Sequence, residues 1–156
     1  MPQPGSKLGE AVMAGVNLLL VDDEVSFVEI LAERLTLREF NISTAHSGAE
    51  ALDRLQTDPD IDVVILDLVM PDMDGIETMK RIKQNRPLVE VIMLSGVATV
   101  ESAIEGMELG AFDYLLKSSG IDTLIEKVMA AVSRKKAHEE KIAKARLTHL
   151  NGRHSE

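Results

Sequence analysis

The chain has 156 residues, 45% of them hydrophobic and 28% charged, which is the composition of a globular protein with room for one full core and not for two comfortable ones. Its net charge of −9 divides unevenly: residues 1–132 carry −13 and residues 133–156 carry +4, and a body that acidic is a poor match for nucleic acid. The absence of Cys excludes disulfides and thiolate metal sites and fits a reducing compartment such as the cytoplasm, and no apolar run approaches the about 18 residues of a membrane span.

Residues 1–15 lack the basic start and apolar centre of a signal peptide and read as a flexible leader. "NLLLV" (17–21) is the first strand, apolar enough to be covered on both faces. Val25–Arg38 then places Phe27, Ile30, Leu31 and Leu35 at helical spacing. "NIST" (41–44) is shorter and more alternating, like an edge strand, and Ala49–Leu55 returns to helical spacing. "VVIL" (63–66), Ile76–Ile82, "VEVIML" (89–94), Val100–Leu109 and "FDYLLK" (112–117) continue the alternation. A last helix begins near Ile121, with Leu124, Ile125, Val128 and Val132 on one stripe. Strand alternating with helix five times predicts an α/β fold: a flavodoxin-like, doubly wound, five-stranded parallel sheet of order 2-1-3-4-5 with helices on both faces.

In such a sheet, ligands bind beyond the carboxyl ends of the strands. Strand one runs into Asp22-Asp23-Glu24, strand three into Asp67, strand four into Ser95-Gly96 and strand five into Lys117. Strands one and three are neighbours in this order, so their carboxylates should meet. Two such charges about 4 Å apart repel by roughly 4 kcal/mol at an effective dielectric of 20, a large part of a domain stability of about 5–15 kcal/mol. The cluster calls for a proton or a cation, and all-oxygen donors with room for water suit Mg²⁺ better than Zn²⁺. With the Lys117 ammonium and the Ser95 hydroxyl, the set can hold a phosphoryl group and stabilise its transfer to Asp67.

"LLLVDDE", "VVILDLVMPDMDG", "VIMLSG" and "GAFDYLLKS", in this order and spacing, resemble the receiver domain of bacterial two-component response regulators. The resemblance covers residues 16–132 and leaves 133–156 as a basic helical extension. It implies that Asp67 is the phosphoacceptor, that Asp23 is a direct Mg²⁺ ligand with Asp22 acting through water, and that Val69 offers the metal its backbone carbonyl. Ser95 and Lys117 would contact the phosphoryl oxygens, and Tyr114 would be the aromatic that turns inward as Ser95 moves. It implies a partner, a histidine kinase or histidine phosphotransfer protein, and a switched output face on the last strand and last two helices, through which a homodimer could also form. It implies no turnover enzyme beyond the domain's own phosphorylation and dephosphorylation; the acidic body and the lack of a long apolar run lead to the expectation of no direct nucleic-acid or membrane binding by this chain. The family positions that set the dephosphorylation rate fall on Val69 and Val97, neither of which can hydrogen-bond a water.

Other roles stand beside these. Asp22 or Asp23 could cap the helix from Val25, Asp74 the helix after Gly75, and Tyr114 could simply pack. Asp72 reads as a solvated loop residue, His46 as a structural residue away from the cluster, and the Met residues as core fillers. The receiver family usually follows its lysine with a cis-linked proline; here Ser118-Ser119-Gly120 follows, and a trans loop of different shape is expected. A Mg²⁺ phosphohydrolase is the alternative, although its nucleophile usually follows strand one with a second Asp two residues on. A flavin module is the third reading, and the acidic first loop would repel a flavin phosphate.

Overall fold

The computed structural model describes residues 15–70, 75–96 and 99–154. Five strands, β1 (Asn17–Val21), β2 (Asn41–Ala45), β3 (Val63–Leu66), β4 (Glu90–Ser95) and β5 (Asp113–Leu116), form one sheet in the order β2-β1-β3-β4-β5. Every pairing is parallel. The helices are α1 (Val25–Leu37), α2 (Gly48–Thr57), α3 (Gly75–Asn85), α4 (Val100–Glu108) and α5 (Ile121–His154). Lys117–Ser119 forms a 3₁₀ turn, so the fifth strand stops one residue short of the lysine.

Side chains alternate across each strand, and both faces are covered. Leu18, Leu20, Val63, Ile65, Ile92 and Leu94 pack with Val28, Leu31 and Leu35 of α1 and Leu124, Val128 and Val132 of α5. Leu19, Val21, Val64, Leu66, Val91 and Met93 form the opposite core with Ala51 and Leu55 of α2 and Met79 and Ile82 of α3. The helix starts carry local signals. Ser47 accepts a hydrogen bond from the Glu50 amide at 3.1 Å, and the Glu50 carboxylate takes the His46 amide at 3.0 Å, a variant of the capping box. Thr99 accepts the Ser102 amide at 3.1 Å at the start of α4.

Two helical faces depart from the apolar spacing in the sequence. In α1, Val28 is buried and Ile30 is 54% exposed, because the face meeting the sheet runs through positions 28, 31 and 35 and leaves Ile30 on its flank. In α4 the stripe Val100, Ile104, Met107 points to solvent, and the buried residue of the helix is Gly106. A Cβ on Gly106 would collide with the Met93 side chain. The helix thus approaches the sheet backbone-first, and its larger apolar groups turn outward.

At the amino ends of the strands, charged groups tie α5 down. Glu90, 1% exposed, lies 3.7 Å from Lys83 at the end of α3 and is also paired with Arg134 of α5. Arg134 stacks over the Phe112 ring at 4.9 Å, and Lys135 meets Asp62 at 3.1 Å. Beyond them the helix continues to His154, and every described side chain from Lys136 to Leu150 is exposed.

Candidate phosphoryl-transfer site

Register builds the site. Val21 pairs with Leu66, so the next residues, Asp22 and Asp67, leave the sheet side by side; the Asp67 amide donates to the Val21 carbonyl at 2.9 Å. Asp22 and Asp67 are buried, Asp23 is exposed, and a carboxylate oxygen from each lies within 4.8 Å of the others. Asp22 also accepts the Glu24 amide at 2.9 Å, which curls the first loop. The residue that opens α1 is Glu24, with no side-chain cap, so the capping role weighed for Asp22 and Asp23 is not what these carboxylates do.

Lys117 reaches the cluster. Its Nζ stands 2.7 Å from Asp22, 3.3 Å from Glu24 and 3.7 Å from Asp67. The same ammonium sits 4.4 Å from the centre of the Phe27 ring, a cation–π contact strengthened by partial desolvation. No cis peptide occurs among the described residues; the lysine arrives on a 3₁₀ turn closed by Gly120 at φ +89°, a backbone region that favours glycine. Burial pulls the Lys117 pKa down, but the hydrogen bond and charge of Asp22, with Asp67 and Glu24, outweigh it and leave the value raised.

Asp67 titrates unusually. Burial raises its pKa to about 6; the Val69 amide, donating to the carboxylate at 3.2 Å, pulls downward, Asp22 pushes upward and Lys117 pulls downward. A carboxylate that retains protons near neutral pH lacks sufficient counter-charge. The donor set fits a hard divalent cation: three carboxylates, two of them buried, converge with one ammonium as their main compensation.

Ser95 ends β4 fully buried and pairs in register with Leu116, immediately before Lys117. Sheet order therefore brings Asp67, Ser95 and Lys117 to one edge. The Tyr114 ring packs against the core that lies under α2 and α3, and its buried hydroxyl has no hydrogen-bond partner among the described residues. The Val69 side chain is 67% exposed. Val97, Asp72 and Asp74 lie outside the described residues.

Two features escaped the sequence reading. His46 is not remote: its Nδ1 lies 3.1 Å from the Asp22 carbonyl oxygen, because the loop after β2 lies beside the loop after β1. Gly75 is more than punctuation. Its amide donates to the Leu68 carbonyl at 2.9 Å, and a Cβ there would overlap the backbone of Asp67 and Leu68. The Asp-x₇-Gly spacing from Asp67 carried that signal without revealing the contact.

Comparison with known proteins agrees with this geometry. The family model described as the response regulator receiver domain matches residues 18–129. The transcriptional regulatory protein ZraR of Escherichia coli K12 is 36% identical over 118 residues, covering 74% of this chain and 26% of ZraR. The cell cycle response regulator CtrA of Brucella ovis is 32% identical over 127 residues, covering 81% of this chain and 54% of CtrA. The chain thus spans about a quarter to a half of these relatives' lengths. Among solved structures, a chain of the CheX–CheY–BeF₃–Mg²⁺ complex from Borrelia burgdorferi superposes with a TM-score of 0.70 at 33% identity, covering 74% of this chain and 87% of that one. With parallel order 2-1-3-4-5 and the acidic strand tips in place, this chain belongs to the response regulator receiver domain family.

Proposed function

We propose that this protein accepts a phosphoryl group on Asp67 from a histidine kinase or histidine phosphotransfer protein, in a Mg²⁺-dependent reaction, and that the acyl phosphate switches its output face. The observation that carries the reading is Lys117 Nζ set 2.7 Å from Asp22 and 3.7 Å from Asp67 at the mouth of a three-carboxylate cluster. Asp23 and Asp67 would hold the metal directly, Asp22 through water, and the Val69 backbone carbonyl would complete the protein's share. A cation held there would supply the positive charge that the carboxylates lack and offset the charge of an incoming phosphoryl group.

The chain's own groups do the rest. β3 holds Asp67 at a rigid tip, so that its carboxylate oxygen meets phosphorus without a search for orientation. Lys117 then neutralises a phosphoryl oxygen, which requires only that its ammonium stay close to Asp67. The Ser95 hydroxyl donates to a second phosphoryl oxygen, and its movement opens space toward Tyr114, whose buried hydroxyl lies on the adjoining strand. The face that reads the change is α4, β5 and α5, the elements reached from Ser95 and Lys117. A protein working with such donors belongs in the cytoplasm; among the described residues no helix is long and apolar enough to cross a membrane.

Incubation with Mg²⁺ and acetyl phosphate should add one phosphoryl group, read by intact mass, and Asp67→Asn should abolish it. The same adduct on the variant, or an undiminished reaction in excess chelator, would remove Asp67 or the metal from the scheme.

A further inference from the structure

We propose that Phe27 is a positioning residue for Lys117, its ring holding the ammonium at the carboxylate cluster in place of a rigid turn after the lysine. The role rests on the reading of Asp67 as phosphoacceptor, and it gives α1 a part in that chemistry.

A lysine at the end of a strand is a poorly aimed charge. Its four-carbon stem is flexible, and fixing it in one geometry costs rotamer freedom. The turn that follows gives Lys117 little help. Ser118, Ser119 and Gly120 are exposed, the 3₁₀ turn buries no residue, and no cis peptide stiffens the described residues. Yet the Lys117 side chain is only 13% exposed. Its hold must come from elsewhere.

α1 supplies it. Glu24 and Phe27, three residues apart, are neighbours at the start of that helix. Both meet the ammonium, the Glu24 carboxylate at 3.3 Å and the Phe27 ring at 4.4 Å from its centre. Val28, Leu31 and Leu35 lock α1 to the sheet, so the half-buried ring is a fixed plate. The two contacts differ in kind. Glu24 is 62% exposed, so water and salt screen its attraction, and it occupies an N–H donor that a phosphoryl oxygen would need. The ring face attracts the cation through its quadrupole and adds no charge to the site. The ammonium can therefore exchange Asp22 for a phosphoryl oxygen while the ring contact persists. A cleft of about 130 Å³ between α1 and the start of α5 is lined by both Phe27 and Lys117. Replacing the ring with a smaller side chain widens that space and lets the stem swing away from Asp67.

Packing alone would be served as well by leucine, so Phe27→Leu set against Phe27→Tyr separates the two roles. In metal-free protein, NMR should place the Lys117 ε-methylene protons upfield of an ordinary lysine, in the shielding zone of the ring. Phe27→Leu should lose that shift and Phe27→Tyr should keep it. An ordinary Lys117 signal in the parent, or a displaced one that survives in Phe27→Leu, overturns the proposal. With acetyl phosphate at saturating Mg²⁺, Phe27→Leu should modify Asp67 about fivefold more slowly, and Phe27→Tyr should recover most of the rate. In the residual reaction of Lys117→Met, adding Phe27→Leu should cause no further loss, because the two residues act as one unit. A parental rate in Phe27→Leu, no recovery in Phe27→Tyr, or a further loss beside Lys117→Met overturns the role of Phe27 and leaves the phosphoacceptor reading in place. A parent that takes no phosphoryl group overturns that reading, and the role with it.

Discussion

Asp67 carries the clearest energetic signature of any single residue. Its folded pKa of about 6 lies above the ordinary 3.8, so the folded state holds the proton more tightly than the unfolded chain. Stability from this group is fully present below pH about 4 and is lost as pH rises through about 6, at most about 3 kcal/mol in all. Metal-free Asp67→Asn should therefore unfold at higher denaturant than the parent at pH 7.5, and the gap should close near pH 4. Adding Mg²⁺ at pH 7.5 should raise the parent's midpoint and leave the variant's nearly unmoved. A parent that outlasts the variant at pH 7.5 without metal contradicts the assignment. Val69 bears on the lifetime of the acyl phosphate proposed for Asp67. Hydrolysis of an acyl phosphate needs a water held in line, and an exposed valine offers it methyl groups and no hydrogen bond. The phosphorylated state should accordingly last many minutes, and Val69→Asn with Val97→Glu should shorten it several-fold in a radiolabel-loss assay. Loss within seconds from the unmodified protein would count against this.

Among the elements, α3 is tightly constrained at its start, where a Cβ on Gly75 would overlap the backbone of Asp67 and Leu68. Gly75→Ala should cost about 1–3 kcal/mol, the range for forced overpacking, and should slow acetyl phosphate modification of Asp67. Equal loss of stability with an unchanged rate would separate the helix start from the site. The strands were legible because a both-faces-buried strand needs an unbroken apolar run, and a carboxylate at its end is conspicuous. Lys117 was equally plain as a residue, but its reach depended on a turn that Ser118-Ser119-Gly120 shapes differently from proline. α4 was misleading at the level of its face. Val100, Ile104 and Met107 have the spacing of a buried stripe, and the opposing fact, a glycine seated on Met93, is a matter of three-dimensional clearance. His46 was missed for a related reason: neighbouring loops are set by sheet order, and nothing in the residue itself announces a carbonyl 24 positions earlier.

For the whole molecule, Glu90 is the place where α3, β4 and α5 meet. Its carboxylate is 1% exposed and answers two cations; burial lowers the Lys83 pKa while Glu90 works against that shift. Removing both cations, Lys83→Met with Arg134→Met, leaves a buried charge uncompensated and should cost about 3–5 kcal/mol in chemical denaturation. Glu90→Met should cost far less, because Arg134 is already 41% exposed and can turn to water. The reverse ranking would mean that packing, and not charge, holds this junction. The tie also turns α5 into a lever. Its fulcrum is the pair Arg134 and Lys135, and the length beyond it is about 28 Å at 1.5 Å per residue. The short arm packs on β4 and β3 through Leu124, Val128 and Val132. A tilt of about 10° in that arm would sweep the far end of the helix through about 5 Å, so a small shift where the helix meets the sheet would be magnified several-fold at its tip.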